Sequence, residues 1–568
     1  MKEFYGPLSS VSDFTHKGKY RLKDEGFYDM ICRMVGVLAD NELHRRDIKM
    51  SCLDQAFLPG GRIQRAIGSP YEVTAINCYV SQTIEDSTDG IFDSLKRAFQ
   101  TMRMGGGIGY DFSPLRWRGA MIKSQGQPAS GAVSFMEPFD ATCGTVASAG
   151  NRRGAQMATL RVDHPDIEEF ITCKRGTGKF KNFNISVAVT DAFMKAVKED
   201  LPFDLVFDGQ VVKTVQARYL WDLIMRTTWD WADPGVLFID RINAMNNLHY
   251  CETIAATNPC GEQPLPPNGA CLLGSVNVTK YVKVRGSRRF IDLEALKADL
   301  PGIVRMMDNV IDHTKFPLPE QEAEQKAKRR MGLGVTGVAN AIEACGHAYG
   351  SDGYLRVQGK LLRTMRDECY RASIELAKEK GAFPAFDVDE YMKGAFIKTL
   401  PKDIQEGIRV HGIRNALLLS IAPTGTISLS ADNISSGIEP VFAHKATRQI
   451  ITEDGPQLFD VDDYGLLNFG VHGKTADECT AQDHVRVLCE AQKYIDSAVS
   501  KTCNVGDDVT WDEFKDLYMQ AYDNGAKGCT TFRASGKLMG ILTKREEPVE
   551  EDGSACYIDP ATGSKSCS

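Results

Sequence analysis

The chain has no two cysteines at a C-x-x-C spacing, no run approaching the roughly 18 apolar residues that span a bilayer, and no excess of basic residues. Each absence excludes something. Without C-x-x-C or a close Cys/His grouping, zinc and iron–sulfur centres are not expected, and no metal site is assigned. The N-terminus, MKEFYGPLSSVSDF, lacks a basic segment followed by an apolar one, so neither a signal nor a transit peptide is expected, and no membrane span. The expected location is cytoplasmic, where thiols stay reduced. A formal charge of -8, from 67 Lys+Arg against 75 Asp+Glu, argues against a protein held on nucleic acid by a general basic surface. A phosphate-bearing ligand must then be met by a local site.

What is present is an ordinary globular composition, 43% hydrophobic and 25% charged. At 568 residues the chain has room for about three or four domains of roughly 150 residues, or for one large α/β domain with appendages. It also has 16 cysteines, which in a reducing compartment serve as apolar packing or redox groups, not as a permanent disulfide framework.

The first 60 or so residues read as helical, with Phe27, Ile31, Met34 and Val35 on one face, until Pro59-Gly60-Gly61 breaks the pattern. Asn184 to Val189 (NISVAV) reads as a strand and DAFMKAVKED as the helix after it, and such alternation favours a parallel α/β core. Leu361, Met365, Cys369, Ala372 and Leu376 recur at helical spacing, which makes Cys369 a packing residue. Thr510-x-x-Glu513 before an apolar run is a capping-box helix start. Lys544 to Gly553 holds seven charged residues in ten and reads as a solvated linker. Beyond it stand Cys556 and Cys567, an odd place for cysteines whose role is packing.

In Asn258-Pro259-Cys260-Gly261-Glu262 an amide, a thiol and a carboxylate occupy alternate positions, so an extended stretch can turn all three to one side. A carboxylate serves as base, an amide orients hydroxyls, and a thiol acts as nucleophile or radical carrier. On pattern alone, a tight loop with a capping Asn, an apolar Cys and a surface Glu stays the simpler reading. Ala422 to Ser428 (APTGTIS) places small and hydroxyl residues around Gly425, where backbone N–H groups, Thr side chains and a following helix N-terminus can meet an anion; a commonplace Thr/Gly turn after the strand-like ALLLSI is the alternative. The glycine run Met104 to Gly109 (MGGGIG) is not followed by a clear dinucleotide-binding unit.

Four segments, GRIQRAIGSPYEVTAINCYV, NPCGEQPLPPNGACLLGSVNV, MGLGVTGVANAI and APTGTISLSADNISSGIEP, occur in an order that resembles the large-chain family of ribonucleotide reductases over roughly residues 55 to 540. The resemblance implies an α/β fold, a ten-stranded α/β barrel with the radical cysteine on a central finger loop. It divides the chain into an N-terminal helical region (1–60), the catalytic barrel with its effector-binding region (61–540) and a flexible redox tail (541–568). It makes Cys260 the thiyl radical that takes hydrogen from the ribose 3′ carbon, Glu262 the base on the 3′ hydroxyl, and Asn258 a partner of the ribose hydroxyls. Cys78 and Cys271 match the thiols that reduce the substrate and become a disulfide, and Cys556 and Cys567 match the pair that reopens it by thiol exchange with a thioredoxin-like reductant. Substrate contacts are implied for Asn77, Gly107, Pro259 and Gly261, with the substrate phosphates at Pro423, Thr424, Gly425, Thr426 and Ile427. Asp86 and Arg116 are implied for binding of dNTP or ATP effectors, with Arg152 and Arg153 in the segment NRRGAQM, which resembles the family's mobile loop.

The classes of this family differ in how the radical is made. The Tyr-Tyr pair that relays it from a metal-bearing subunit in class I is absent from the sequence, and neither the glycyl-radical motif nor the zinc cysteines of class III are found. GCTTFR and CYIDPATGSKSC resemble class II, in which adenosylcobalamin oxidises the cysteine directly. The barrel begins too near the N-terminus to leave room for an ATP-cone, so overall activity switching is not expected, and a homodimer is the expected assembly. The alternatives are a class I large subunit needing a metal-containing partner and a catalytically silent nucleotide-binding regulator on the same barrel.

Overall fold

Ten strands form one sheet in the computed structural model, which describes residues 5–148, 152–153, 155–176, 178–452, 455–506, 509–533, 542–544, 556–558 and 565–567. In chain order they are β1 (Phe57–Pro59), β2 (Cys78–Val80), β3 (Gly107–Asp111), β4 (Gln156–Arg161), β5 (Phe183–Val189), β6 (Gly235–Phe238), β7 (Ala270–Asn277), β8 (Met331–Thr336), β9 (Thr502–Val505) and β10 (Gly528–Arg533). From β2 to β6 each strand pairs in parallel with the next. β7 and β8 are parallel, as are β9 and β10. The two runs meet at antiparallel seams, β2 against β7 and β6 against β10. β1 lies antiparallel on β7 beyond its contact with β2.

Between β8 and β9 the ladder continues through short parallel bridges, Leu333 to Leu419 and Ile421 to Val499. Leu333 N donates to Leu418 O at 2.9 Å and Ser500 N to Ile421 O at 2.8 Å. The hydrogen-bonded circuit therefore returns to its start, a ring of two parallel halves that run in opposite directions. The closing segments are braced by side chains. The Asp496 carboxylate accepts from Leu418 N and Leu419 N, both at 2.8 Å, and Lys527 Nζ donates to the carbonyls of Asp496 and Ser497, both at 2.6 Å.

Sequence explains why these strands line a ring with something inside it. β5 and β8 are buried almost throughout, as strands covered on both faces must be. On β8, Leu333 and Val335 join the outer core, while a Cβ on Gly332 or Gly334 would come within 2.3 Å of Gln263 Nε2 or Ser420 O. On β3, Ile108 and Tyr110 join that core, while a Cβ on Gly107 would meet Pro259 at 3.2 Å and one on Gly109 would meet Thr257 O at 1.8 Å. Gly107, Gly109 and Gly332 thus clear the interior for residues 256–265, and Gly334 gives room to the Ser420 backbone. The run MGGGIG carries the chain from the end of a helix at Met104 into the ring wall, which begins at Gly107.

Helices cover the outside. Ser10–Tyr20, Phe27–Leu38 and Glu42–Leu53 account for the N-terminal helical reading. Pro59 ends β1 and Gly61 starts the helix Gly61–Ala66, so the expected break is a strand-to-helix junction. NISVAV lies in β5, and the helix Asp191–Glu199 follows it. The stripe from Leu361 to Leu376 is buried on the helix Asp352–Lys380. Thr510 and Glu513 form the expected capping box on Trp511–Asp523. A hairpin, Lys445–Thr452 with Gly455–Asp462, had no signal in the sequence reading. The linker residues 545–555 lie outside the described residues. No helix among the described residues is long and apolar enough to cross a membrane.

Candidate active site

Residues 256–265 form a hairpin inside the ring, closed by the pairs Ala256 with Leu265 and Thr257 with Pro264. Asn258 N donates to Gln263 O at 3.0 Å, Gly261 N to Asn258 O at 3.1 Å, and Gly261 supplies the positive φ of +80° that the turn requires. Both halves of the ring grip the tip. Asn184 Nδ2 on β5 donates to Pro259 O at 2.7 Å. From the other half, Ser420 Oγ, Ser497 Oγ and Ala498 N donate to Glu262 O at 3.1, 3.2 and 3.1 Å.

Burial alternates along the tip. Asn258 and Glu262 are 2% and 1% exposed, whereas Cys260 is open to solvent. All three line one cavity of about 580 Å³, together with Asn77, Cys78, Gly107, Pro259 and the segment from Pro423 to Ile427. The structure thus brings together the residues proposed for substrate binding and catalysis, apart from Gly261 and Cys271, which do not line the cavity. Cys271 is fully buried on β7, directly opposite Cys78 on β2.

The electrostatics follow from burial. Desolvation pushes the Glu262 carboxyl up to about 7, partly offset by hydrogen bonds from Asn258 and Cys78. Its Oε1 faces Cys78 Sγ at 3.8 Å, and its Oε2 is buried with no hydrogen-bond partner among the described residues. Asn77 Oδ1 is in the same position. Burial, reinforced by Glu262, raises the Cys78 thiol well above its ordinary range, and burial does the same for Cys271. Both therefore hold their protons at neutral pH. Asn258 Nδ2 donates to Cys78 Sγ at 3.2 Å and Asn258 Oδ1 accepts from Gln263 N at 3.0 Å, so its amide ties the tip to the thiol.

Thr424 lines the cavity and also braces its wall. Its hydroxyl is buried in a network with Thr336 Oγ1 (3.0 Å), Ser428 Oγ (2.9 Å) and Gly437 N (2.7 Å), which holds the loop in place. The open surface is at Gly425, where a Cβ would have nothing within 4 Å. Sequence reasoning missed Tyr20, Arg62, Arg65 and Ser275, which line the same cavity. Arg62 and Arg65 stand three apart at the start of a helix just after Gly60-Gly61, a spacing that puts two cations on one face and that could have flagged them.

Asp86 and Arg116 lie outside this cavity and pair with each other, Arg116 Nε donating to Asp86 Oδ2 at 2.7 Å. Arg152–Arg153 pairs as a strand with Ala147–Ser148; their side chains, with Asn151 and Gly154, lie outside the described residues. In the tail, Cys556–Ile558 pairs antiparallel with Lys565–Cys567, which sets the Cys556 backbone opposite that of Cys567; their side chains are likewise outside the described residues.

A family described as ribonucleotide reductase, barrel domain, matches residues 76–464 and 471–532. Among curated proteins, the chain is 36% identical to a vitamin B12-dependent ribonucleoside-diphosphate reductase of Thermoplasma acidophilum, over 91% of this chain and 68% of the relative. It is 36% identical to a protein of the same name from Mycobacterium tuberculosis, over 86% of this chain and 71% of the relative. A vitamin B12-dependent ribonucleotide reductase of Streptomyces clavuligerus is 28% identical, over 91% of this chain and 62% of the relative.

Proposed function

Because the chain belongs to the ribonucleotide reductase family, we propose that it reduces ribonucleotides to 2′-deoxyribonucleotides for DNA synthesis, by a thiyl radical on Cys260 generated with adenosylcobalamin. The observation that carries this reading is one exposed thiol on a loop gripped inside a closed ring, beside a buried carboxyl near neutrality and a protonated dithiol. The residues fit the cofactor: Cys260 is open to a radical delivered from outside, while its neighbours Asn258 and Glu262 are shielded. Pro259, Cys260 and the glycines 105 to 107 are the residues that would receive it. Bound adenosylcobalamin supplies a carbon-centred radical able to take the hydrogen atom from a thiol.

The chain's own groups do the rest. The Cys260 sulfur radical takes the 3′ hydrogen atom of the ribose, and the Glu262 carboxylate accepts the 3′ hydroxyl proton. The 2′ hydroxyl leaves as water with a proton from Cys78, whose raised thiol retains one to give. Cys78 and Cys271 together surrender two protons and two electrons in reducing the ribose and become a disulfide, and Glu262 returns its proton to the 3′ oxygen. The 3′ carbon recovers its hydrogen from Cys260, which restores the sulfur radical. Asn258 positions the tip against Cys78. Cys556 and Cys567 reopen the disulfide by exchange and are themselves reduced by a thioredoxin-like dithiol. Asp86, Arg116, Arg152 and Arg153 bind a dNTP or ATP effector, and two copies of the chain assemble as a cytoplasmic homodimer.

The test is an assay of the purified chain with CDP or CTP and a dithiol, with and without adenosylcobalamin. Deoxynucleotide that forms only with the cofactor is the expected result. Turnover that instead requires a metal-bearing second subunit overturns it.

A further inference from the structure

A second cavity, of about 330 Å³, lies on the outside of the ring and shares no lining residue with the first. It is enclosed by the hairpin Val282–Arg285 with Arg288–Ile291, the turn after the helix Val338–Ala344, and the first turns of the helix Asp352–Lys380. Its volume falls at the low end of small-molecule sites, about 300–1,000 Å³.

The lining is uneven in charge. Arg289, Arg356 and Lys360 contribute three cations, and no carboxylate residue lines the cavity. Arg356 and Lys360 are four apart on one helix, where like charges destabilise each other. Neither has a side-chain partner among the described residues, although other cations on this helix and beside it do: Arg371 with Glu368 and Asp403, Lys378 with Glu375, Lys297 with Glu294. The acids closest in sequence to the lining are already engaged, Asp352 by Arg486 and Asp292 by the Ala295 backbone N–H. Arg289 rests over the Phe469 ring, 5.5 Å from its centroid, and has no acidic partner among the described residues; in a chain whose formal charge is -8, three cations around a hollow without a carboxylate are a recognition feature for an anion. The rest of the wall is apolar, with Phe290, Leu293 and Leu361 among its side chains, so a bare inorganic ion would leave that surface wet.

We propose that this cavity binds a small organic phosphate, its anionic head between Arg289, Arg356 and Lys360 and its apolar body against Phe290, Leu293 and Leu361. Guanidinium forks match phosphate oxygens in pairs, which favours phosphate as the head group. The site does not depend on the chemistry proposed for the inner cavity.

Cys345, half-buried in the same wall, gives a readout confined to this site. The full chain is treated with iodoacetamide and the Cys345 peptide quantified by mass spectrometry, with phenyl phosphate, inorganic phosphate or benzyl alcohol present. Phenyl phosphate is expected to slow Cys345 alkylation about tenfold when supplied at about ten times its dissociation constant. Added salt is expected to weaken that protection in the unmodified protein. The double variant Arg356→Gln, Lys360→Gln, both on exposed positions, is expected to lose the protection with an unchanged melting temperature. Unprotected Cys345 at millimolar phenyl phosphate, or protection that survives salt and the double variant alike, overturns the proposal. Equal protection by inorganic phosphate or by benzyl alcohol also overturns it, since one lacks the body and the other the head.

Discussion

Burial raises the Glu262 carboxyl to about 7, so near neutrality the side chain is divided between acid and carboxylate. In the proposed mechanism only the carboxylate can accept the 3′ hydroxyl proton. Turnover is therefore predicted to rise with pH through about 7, and Glu262→Gln to lose that limb along with about 10²–10⁴-fold in rate. Stability runs the other way. The folded value lies above the ordinary 4.5, so the group's contribution is complete below about 4.5 and lost as pH rises through about 7. Melting curves of Glu262→Gln should accordingly vary less with pH across this window than those of the parent; superimposable pH dependences would show that the carboxyl ionises normally. Cys260 provides the contrasting case. It is exposed at the loop tip, so Cys260→Ala is predicted to abolish all turnover while the melting temperature stays within the small range of surface substitutions.

At the scale of elements, glycines of β3 and β8 decide where the hairpin of residues 256–265 can lie. A methyl on Gly109 would overlap the Thr257 carbonyl at 1.8 Å. Gly109→Ala should displace the hairpin, costing about 1–3 kcal/mol in a denaturant titration but nearly all of the activity. Equal, small effects on both would mean that the loop tolerates the shift. The elements legible in the sequence are those set by local rules: NISVAV as a strand, the Cys369 stripe, and the Thr510 capping box. Ring closure was not open to such rules, because it depends on bridges of one residue pair each between segments some distance apart, Leu333 to Leu419 and Ile421 to Val499. It was reached only as an implication of family resemblance. The glycine alternation in MGLGVT is visible as a pattern, yet its meaning depends on knowing that a hairpin sits inside. The bracing of Thr424 was hidden for a similar reason: its type gives no sign that Thr336, Ser428 and Gly437 surround its hydroxyl.

For the molecule as a whole, the question is how electrons reach a buried dithiol. Cys78 and Cys271 are 3% and 0% exposed, so a protein reductant has no direct access to them. In the proposed mechanism a tail with its own cysteine pair would resolve this, and the antiparallel register sets the Cys556 backbone opposite that of Cys567. Cys556→Ala and Cys567→Ala are each predicted to abolish thioredoxin-driven turnover while leaving most of the turnover supported by a small dithiol. Equal loss with both reductants would place these cysteines elsewhere in the chemistry. The candidate site was legible in the sequence where its residues stand within one short motif, from Asn258 to Glu262. It was not legible where the cavity wall is assembled from distant segments, as with Tyr20 and Ser275.

The pairing of Cys78 with Cys271 falls on the seam where β2 and β7 join the two opposed halves of the ring. In the proposed mechanism their oxidation would therefore act as a clasp: it would fasten covalently a junction that otherwise depends on hydrogen bonds, and reduction would unfasten it. A clasp between residues so far apart in sequence restricts the unfolded chain most strongly, an effect of a few kcal/mol on the order of ~2–4. Protein allowed a single turnover without reductant should then melt at a higher temperature than the same protein after dithiol treatment, making the enzyme most rigid at the moment when it awaits its next electrons.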